Sequence, residues 1–255
     1  MRVLLITQNE PFYLAEAFQQ LLKDFPDGCQ LIGCIVLSPS PMGKSEPLWK
    51  RAKKTWATFG TSFFVHYAVR FLRHKVTPET QVERVMKQHG VPLIQLEKSI
   101  NHAESREMIR QLGADVFVSV QANQIFRRPL IDLAPQGVLN LHTALLPKYR
   151  GLMPTFWALR HGESETGVSV FFVDEGIDSG PILVQKRLPI PPHCSLDHLI
   201  RRTKSLGMTA ICEALSRMRD GNTETLANPE EEMSYYSFPT RKDVKAFLRI
   251  GGRFF

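Results

Sequence analysis

Cysteine is scarce in this chain of 255 residues, and its spacing excludes the usual cysteine-based sites. The four cysteines are Cys29, Cys34, Cys194 and Cys212, and no two of them form a C-x-x-C pair or the spacing of a zinc site. Disulfides are rare in cytoplasmic proteins. We therefore expect reduced, buried thiols, a cytoplasmic protein and no bound metal.

Long apolar runs and a secretory leader are also missing. No apolar run reaches the length of about 20 residues that spans a bilayer. The N-terminal run MRVLLIT is too short for the apolar core of a signal peptide, and it reads as a first strand. A hydrophobic content of 43% with 22% charged residues is ordinary for a soluble protein that buries a core. We expect one large domain with at most a small appendage.

Acidic residues are nearly absent between residues 44 and 75, where Glu46 is the only one. This segment carries the whole formal net charge of +7. Its basic residues are Lys44, Lys50, Arg51, Lys53, Lys54, Arg70, Arg73 and Lys75. Its aromatic residues recur at helical spacing and are Trp56, Phe59, Phe63, Phe64, Tyr67 and Phe71. We predict a helical insertion that either packs its aromatic stripe on the domain or offers a basic amphipathic face to a membrane surface or a lipid-linked or phosphate-bearing substrate. Self-association and nucleic acid stay open as alternatives.

The first part of the chain alternates between strand and helix patterns. RVLLIT and CQLIGCIVLS are apolar runs typical of buried strands, and PFYLAEAFQQLLKDF between them has helical spacing. This order predicts a parallel α/β sheet. The turn TQNEPFY after the first strand has no glycine, so it does not support dinucleotide binding.

The rest of the chain continues the alternation. TPETQVERVMKQHG, with Thr77 and Pro78 as its start, and HAESREMIRQLG predict helices, while VPLIQLE, ADVFVSV and GVLNLH predict strands. A short helix is expected in GLMPTFWALRHGE. TGVSVFFVD and GPILVQKRLPI predict an antiparallel pair, followed by one long amphipathic helix and a tail with a short helix.

Two polar motifs stand out against this pattern. Asn140 and His142 lie two residues apart at the end of the strand VLNLH, so their side chains share one face. The second motif is the acidic turn DEGIDSG, residues 174–180. Taken alone, the first motif is also compatible with a structural polar pair, and the second motif is also compatible with a solvated loop. A calcium site is excluded because the carboxylates do not have the EF-hand spacing.

Together, in this order, the two motifs resemble the formyltransferases that use 10-formyltetrahydrofolate, a family that includes glycinamide ribonucleotide transformylase, methionyl-tRNA formyltransferase and the sugar N-formyltransferases. The residues that carry the resemblance are Asn140, His142, Leu145, Leu146, Pro147, Asp174, Gly176, Asp178 and Gly180. Ala144 stands where the family pattern has serine. The resemblance is close over residues 116–190 and looser before them. It implies a Rossmann-like, mostly parallel sheet flanked by helices, with a catalytic domain over residues 1–215 and a short C-terminal extension over 216–255.

The catalytic trio implied by the resemblance is Asn140, His142 and Asp178. When an amine attacks a formyl carbonyl, a negative oxygen develops and needs preorganised donors. The amide of Asn140 and a protonated His142 are such donors, and a carboxylate beside His142 favours its charged form. Asp178 could also accept the proton that the attacking amine loses, directly or through a water. No metal or covalent nucleophile is needed.

The resemblance also implies contacts for the folate and the acceptor. The pterin would lie between the loop Gln121, Ala122, Asn123, Gln124 and Ile125 and the turn Asp174, Glu175, Gly176 and Ile177. Asn123 departs from the glycine that relatives often have. Tyr149, Arg150 and Gly151 are expected at the rim, near the amine.

The acceptor is expected to be a small amine, an amino sugar linked to a nucleotide. Methionyl-tRNA enzymes carry a further β-barrel domain, for which this sequence has no room, although the basic segment keeps tRNA open. Hydrolysis to formate and a folate-binding module without turnover are alternatives. A homodimer also stays open.

Overall fold

A computed structural model describes residues 1–37, 46–77 and 81–255. These residues form a main sheet of seven strands and a second sheet of two, with helices around them. In chain order the strands are β1 (Arg2–Gln8), β2 (Gln30–Leu37), β3 (Leu93–Ile94), β4 (Val116–Val120), β5 (Val138–His142), β6 (Arg150–Gly151), β7 (Glu165–Phe172), β8 (Ile182–Pro189) and β9 (Tyr235–Tyr236). The helices are α1 (Leu14–Lys23), α2 (Leu48–Phe59), α3 (Thr61–Val76), α4 (Val82–Gln88), α5 (Ala103–Gln111), α6 (Arg128–Ile131), α7 (Pro154–Arg160), α8 (Leu196–Arg219) and α9 (Arg241–Arg249).

The main sheet confirms the predicted α/β class. Its order is β3-β2-β1-β4-β5-β7-β8. The strands β1 to β5 are parallel to each other, and β7 is antiparallel to both of its neighbours, β5 and β8. The strand order reverses between β1 and β4, so the carboxyl ends of β1, β4 and β5 meet at one edge. Open α/β sheets bind ligands at such a switch point.

Each face of the sheet is covered by helices because its strands are apolar on both sides. One core cluster joins the strands to α1, α4 and α8, and the other joins the opposite face to α5 and α6. Leu139 and Leu141 of β5 lie in the first cluster and Val138 lies in the second. Alternation along the strand therefore puts Asn140 and His142 on the second face, as predicted.

The predicted helical insertion consists of two helices, α2 and α3. Gly60 lies between α2 and α3 with φ of 88°, a left-handed conformation that suits glycine and ends α2. Phe59 and Phe63 pack into a third core cluster, and Tyr67 lies against it, but Trp56 is 52% exposed. Gly60 ends α2, but the rings of Phe59, Phe63 and Tyr67 stack in sequence across it, so this part of the predicted stripe packs on the domain. Lys44 and the predicted helix start at Pro78 lie outside the described residues, and α4 begins at Val82.

The C-terminal residues share the third core cluster with the rest of the chain. Val244 and Phe247 of α9 are buried there, together with Phe156 of α7. The predicted boundary between residues 215 and 216 falls inside α8, which runs without a break to Arg219. The two-residue strand β9 pairs with β6, beside the carboxyl end of β5. The tail therefore reaches the sheet edge at which the polar motifs lie.

Candidate active site

His142 is the central side chain of the site, and both of its ring nitrogens face acceptors. It ends β5 and is 6% exposed. Nε2 lies 2.7 Å from the carbonyl oxygen of Tyr149, which can only accept, so this nitrogen carries a proton. Nδ1 faces Oδ2 of Asp178 at 3.6 Å, too long for a direct hydrogen bond but close enough for a strong charge interaction. The geometry therefore brings an imidazole and a carboxylate together at the end of β5.

Asp178 is aimed at His142 by the backbone of β6. Its Oδ2 accepts the N–H of Gly151 at 2.8 Å. Asp178 has φ of 51°, a left-handed conformation that is uncommon for residues other than glycine but that aspartate adopts more often than most. The side chain of Asn228 stabilises this turn by donating to the carbonyl oxygens of Asp178 and Gly180, both at 2.9 Å. The carboxylate and the turn that carries it are thus held by two other parts of the chain, β6 and Asn228.

Asn140 is the remaining member of the predicted trio. It lies two residues before His142 on the same face of β5 and is half-buried. Its side chain makes no hydrogen bond to another residue within the described ranges, so its amide is available to a ligand. The structure thus brings His142 and Asp178 close together and places an uncommitted amide donor on the same strand face as His142.

The side chains of Tyr149 and Arg150, which the sequence predicts at the rim, are buried in the structure. They are 9% and 4% exposed. The Tyr149 hydroxyl donates to Glu163 at 2.6 Å. Burial is the main cause that raises the pKa of the phenol, and this hydrogen bond is the second. The Arg150 guanidinium donates to the side-chain and backbone oxygens of Asn228. Both side chains support the site from behind, and the parts that reach His142 and Asp178 are the Tyr149 carbonyl and the Gly151 N–H.

The predicted folate loop follows β4, at the same sheet edge as His142. Gln124 accepts hydrogen bonds from the Ser99 hydroxyl at 2.8 Å and the Ile100 N–H at 3.0 Å, so its carbonyl oxygen holds the loop in shape. Gln121 has φ of 55°. Gln121, Ala122, Asn123 and Gln124 are half-buried, and Ile125 is exposed. The loop therefore offers accessible backbone and apolar surface to a ligand.

The predicted turn 174–177 closes on itself. Asp174 accepts from the Gly176 N–H at 3.0 Å and the Ser179 hydroxyl at 2.6 Å. Asp174, Glu175, Gly176 and Ile177 are all exposed. The second carboxylate of the motif thus shapes the turn, and only Asp178 reaches His142.

Ala144, the residue that departs from the family pattern, is buried in the third core cluster. The hydroxyl at this loop comes from Ser169 instead. It donates to the carbonyl oxygen of Ala144 at 2.8 Å and accepts the Leu146 N–H at 3.1 Å. The loop after β5 therefore keeps a hydroxyl contact without a serine at position 144.

Glu10 occupies the start of α1 at the same sheet edge. Its carboxylate accepts the N–H groups of Phe12, Tyr13 and Leu14 at 3.0, 2.8 and 3.1 Å. Burial raises the pKa of Glu10. A helix start at this place of an α/β sheet can bind a phosphate, and here the chain's own carboxylate takes that position. This agrees with the absence of a glycine-rich turn after β1.

Comparison with known proteins supports these observations. A family model described as formyl transferase matches residues 69–215. Methionyl-tRNA formyltransferase of Kosmotoga olearia is 33% identical over 172 residues, which are 68% of this chain and 55% of that protein. The chain spans about half the length of the first curated relatives that it matches.

Solved structures share the fold. Glycinamide ribonucleotide transformylase 1 from Symbiobacterium toebii has a TM-score of 0.61 at 18% identity, covering 90% of this chain and 94% of that one. A sugar N-formyltransferase from a Shewanella species has a TM-score of 0.60 at 18% identity, covering 98% of this chain and 87% of that one. At 18% identity these structures show a shared fold and nothing further. With the family match over more than half of its residues, the chain belongs to the formyltransferase family.

Proposed function

We propose that this protein transfers a formyl group from 10-formyltetrahydrofolate to the primary amine of a small acceptor, an amino sugar linked to a nucleotide. The observation that carries the proposal is the approach of His142 Nδ1 to Asp178 Oδ2 at 3.6 Å, with the free amide of Asn140 on the same strand face. A charged imidazole, a carboxylate and a neutral donor are the groups that formyl transfer between nitrogens needs.

The proposed reaction forms one C–N bond and breaks another. The acceptor nitrogen attacks the formyl carbon and gives up a proton to Asp178, directly or through a water. The amide of Asn140 donates to the oxygen that becomes negative. Nε2 of His142 is held by the Tyr149 carbonyl oxygen, and a protonated His142 would add its positive charge beside that developing oxygen. The bond from the formyl carbon to the folate nitrogen then breaks, and that nitrogen takes up a proton.

An exposed aromatic ring beside the site supports a small acceptor with a ring or base. The Tyr235 ring lies against Gly151, where a Cβ atom would meet Tyr235 Cε2 at 2.8 Å and the Tyr236 carbonyl oxygen at 2.3 Å. Tyr235 is 47% exposed, and Gly151 is the residue that binds the Asp178 carboxylate. A sugar or base stacked on Tyr235 would thus lie next to the proposed proton acceptor.

The alternative acceptor is methionyl-tRNA. It is supported by the names of the sequence relatives and by the basic surface of α2 and α3. The two acceptors are distinguished by assay and not by the catalytic trio, which both reactions would use.

The test is a competition assay on the purified protein with 10-formyltetrahydrofolate and separate pools of nucleotide-linked amino sugars, amino acids and charged initiator tRNA. Mass spectrometry would detect the mass of one added CO group on the acceptor. We expect it on an amino sugar. Formylated tRNA would support the alternative, formate without a formylated amine would identify a hydrolase, and folate binding without any turnover would contradict an enzymatic function.

Variants of the trio test the assigned roles. His142→Gln and Asp178→Asn should each lower kcat by about a hundredfold while folate affinity stays close to that of the wild type, because the lost groups act on the developing charge. His198→Gln and Asp27→Asn change exposed residues of the same types and serve as controls. Near-normal turnover in either trio variant would contradict the proposed mechanism.

A further inference from the structure

The helices α2 and α3 form a surface hairpin with one face fixed to the protein. Phe59 and Phe63 are buried in the third core cluster. The Tyr67 hydroxyl lies 2.5 Å from that of Tyr13, and Arg70 forms an ion pair with Asp197 of α8. The inner face is therefore anchored by apolar and polar contacts together, and its orientation is fixed.

The outer face of α3 is apolar and exposed. Val65, Val69, Leu72 and Val76 follow one another at intervals of four, three and four residues, so they form a single stripe along the helix. All four are more than half exposed, and Val76 reaches 80%. In the neighbouring helix α2, Leu48, Trp49 and Trp56 are also more than half exposed. Single exposed apolar residues are common, but a stripe of four along one helix, with three more on the helix before it, indicates an interaction surface.

Basic residues surround this apolar surface. Lys50, Lys53 and Lys54 of α2 and Arg73 and Lys75 of α3 are exposed. None of the five forms an ion pair within the part of the chain that the structure describes. No acidic residue occurs in the sequence from residue 47 to residue 76. The hairpin therefore combines exposed aliphatic chains, two tryptophans and uncompensated positive charge.

We propose that the outer face of α2 and α3 docks on an anionic lipid bilayer surface. A helix that lies in the lipid interface inserts its apolar face, carries Lys and Arg beside it, and favours Trp at the boundary. RNA would pair with the cations but leave the aliphatic stripe of α3 in water. A second copy would bring two surfaces of the same charge together. Within the described ranges no helix is long and apolar enough to cross a membrane, so the contact is with the surface.

The hairpin adjoins the proposed acceptor site. The ammonium group of Lys54 lies 5.4 Å from the ring centre of Phe238, two residues after Tyr236 of β9. The Arg241 guanidinium donates to the carbonyl oxygen of Thr58 in α2 at 3.2 Å. Since β9 pairs with Gly151, docking would hold the active-site edge near the lipid surface. The docking proposal stands without the proposed function, because it is tested by binding and not by turnover.

Vesicle binding by the full chain tests the proposal. Vesicles of phosphatidylcholine with an equal part of phosphatidylglycerol are compared with vesicles of phosphatidylcholine alone by flotation and by tryptophan fluorescence. Trp49 and Trp56 are exposed and Trp157 is 8% exposed, so a blue shift on binding would report the hairpin. We expect flotation with the anionic vesicles and a blue shift that Trp49→Phe and Trp56→Phe reduce.

Two paired variants separate the apolar and the electrostatic contributions. Val69→Ser with Leu72→Ser should abolish flotation. Lys50→Glu with Lys53→Glu should lower the partition coefficient about tenfold or more, because each basic residue near an anionic surface contributes to binding. The control is Met108→Ser with Lys87→Glu, which changes exposed residues of α5 and α4. Activity on a soluble acceptor should not change in any of them.

Several outcomes would overturn the proposal. One is that the wild-type protein does not float with anionic vesicles. Another is that the control pair lowers flotation as much as the hairpin variants do. A third is that the protein forms a concentration-dependent dimer that Val69→Ser with Leu72→Ser dissociates. Tight binding of tRNA without any vesicle binding would show that the charge serves nucleic acid instead.

Discussion

Asn228 connects three parts of the active site, although it lies 50 residues beyond the motif that it supports. Its side-chain N–H groups bind the carbonyl oxygens of Asp178 and Gly180, and its own oxygen accepts from Arg150 Nη2 at 2.9 Å. The turn that carries Asp178 therefore depends on a residue outside it. We infer that Asn228 sets the distance between Asp178 and His142.

Replacing Asn228 by alanine should lower kcat about tenfold and the free energy of unfolding by about 1–3 kcal/mol, because the carbonyl oxygens of Asp178 and Gly180 lose this partner and Arg150 keeps only the backbone oxygen of residue 228. Steady-state kinetics and urea unfolding would measure the two effects. Asn222→Ala changes an asparagine in an exposed turn and should be neutral in both. Equal kcat in the Asn228 variant and the wild type would contradict a positioning role.

The members of the proposed trio could be named from the sequence because they lie in two short motifs with fixed spacing. Asn228 and Ser169 could not, since a single Asn or Ser far along the chain carries no pattern. The Tyr149 carbonyl and the Gly151 N–H are backbone groups, which every residue has. What makes these groups part of the site is the path of the loop after β5.

At the level of elements, the attachment of α3 to α1 and α8 is a buried polar network. Asp197 accepts from the Tyr13 hydroxyl at 2.8 Å and from Arg201, and it pairs with Arg70. Burial alone would raise the pKa of Asp197, but the hydrogen bonds from Tyr13 and Arg201 and the charge of Arg70 outweigh burial, so its pKa lies below the ordinary value. Burial likewise raises the pKa of the Tyr67 phenol, which therefore stays neutral.

Asp197→Asn should destabilise the protein by about 2–4 kcal/mol at neutral pH, because it leaves Arg70 largely buried without its counter-charge. A carboxylate with a lowered pKa contributes stability that is present above its ordinary pKa, about 3.9, and lost as the pH falls through its folded value. The difference between wild type and variant should therefore shrink in strong acid.

Urea unfolding at neutral pH and in strong acid would measure this difference. Asp220→Asn is the matched control, since Asp220 also pairs with an arginine, Arg219, but at the exposed surface. A difference that is independent of pH, or one equal to that of the control, would contradict the proposed role of Asp197.

At the level of the whole molecule, the third core cluster joins segments that are distant in sequence. Phe59 and Phe63 of the hairpin, Phe156 of α7 and Phe247 of α9 meet in it. Phe247 is 1% exposed and its ring lies 5.3 Å from that of Phe156. The hairpin and the tail are therefore stabilised by each other as well as by the sheet.

Phe247→Ala should lower the free energy of unfolding by about 3–5 kcal/mol, as expected for a large buried aromatic side chain. The loss should also loosen α2 and α3, which amide hydrogen exchange would detect as faster exchange in the hairpin. Leu248→Ala changes the next, exposed residue of α9 and should have little effect on either measurement. Unchanged exchange in the hairpin would mean that the cluster does not couple the two segments.

Much of this architecture follows from patterns that are local in the chain. The apolar runs predicted β1, β2, β4, β5 and the antiparallel pair, and the parallel order put the ends of β4 and β5 at one edge. The helical pattern of residues 44–75 predicted helices but not the break at Gly60. The face shared by Asn140 and His142 followed from the two-residue period of a strand.

Other features depend on which surfaces pack against each other, and a one-dimensional pattern does not contain that information. The positions of Tyr149 and Arg150 directly after the first motif predict side chains at the rim of the site. In the structure these side chains contact Glu163, Asn228 and Tyr236 and are buried. Helix α3 has apolar residues on two faces. The ion pair of Arg70 with Asp197 fixes the orientation of the helix, and the face with Val65, Val69, Leu72 and Val76 is therefore exposed. Local spacing is set by covalent geometry, whereas burial is set by contacts between residues far apart in the chain.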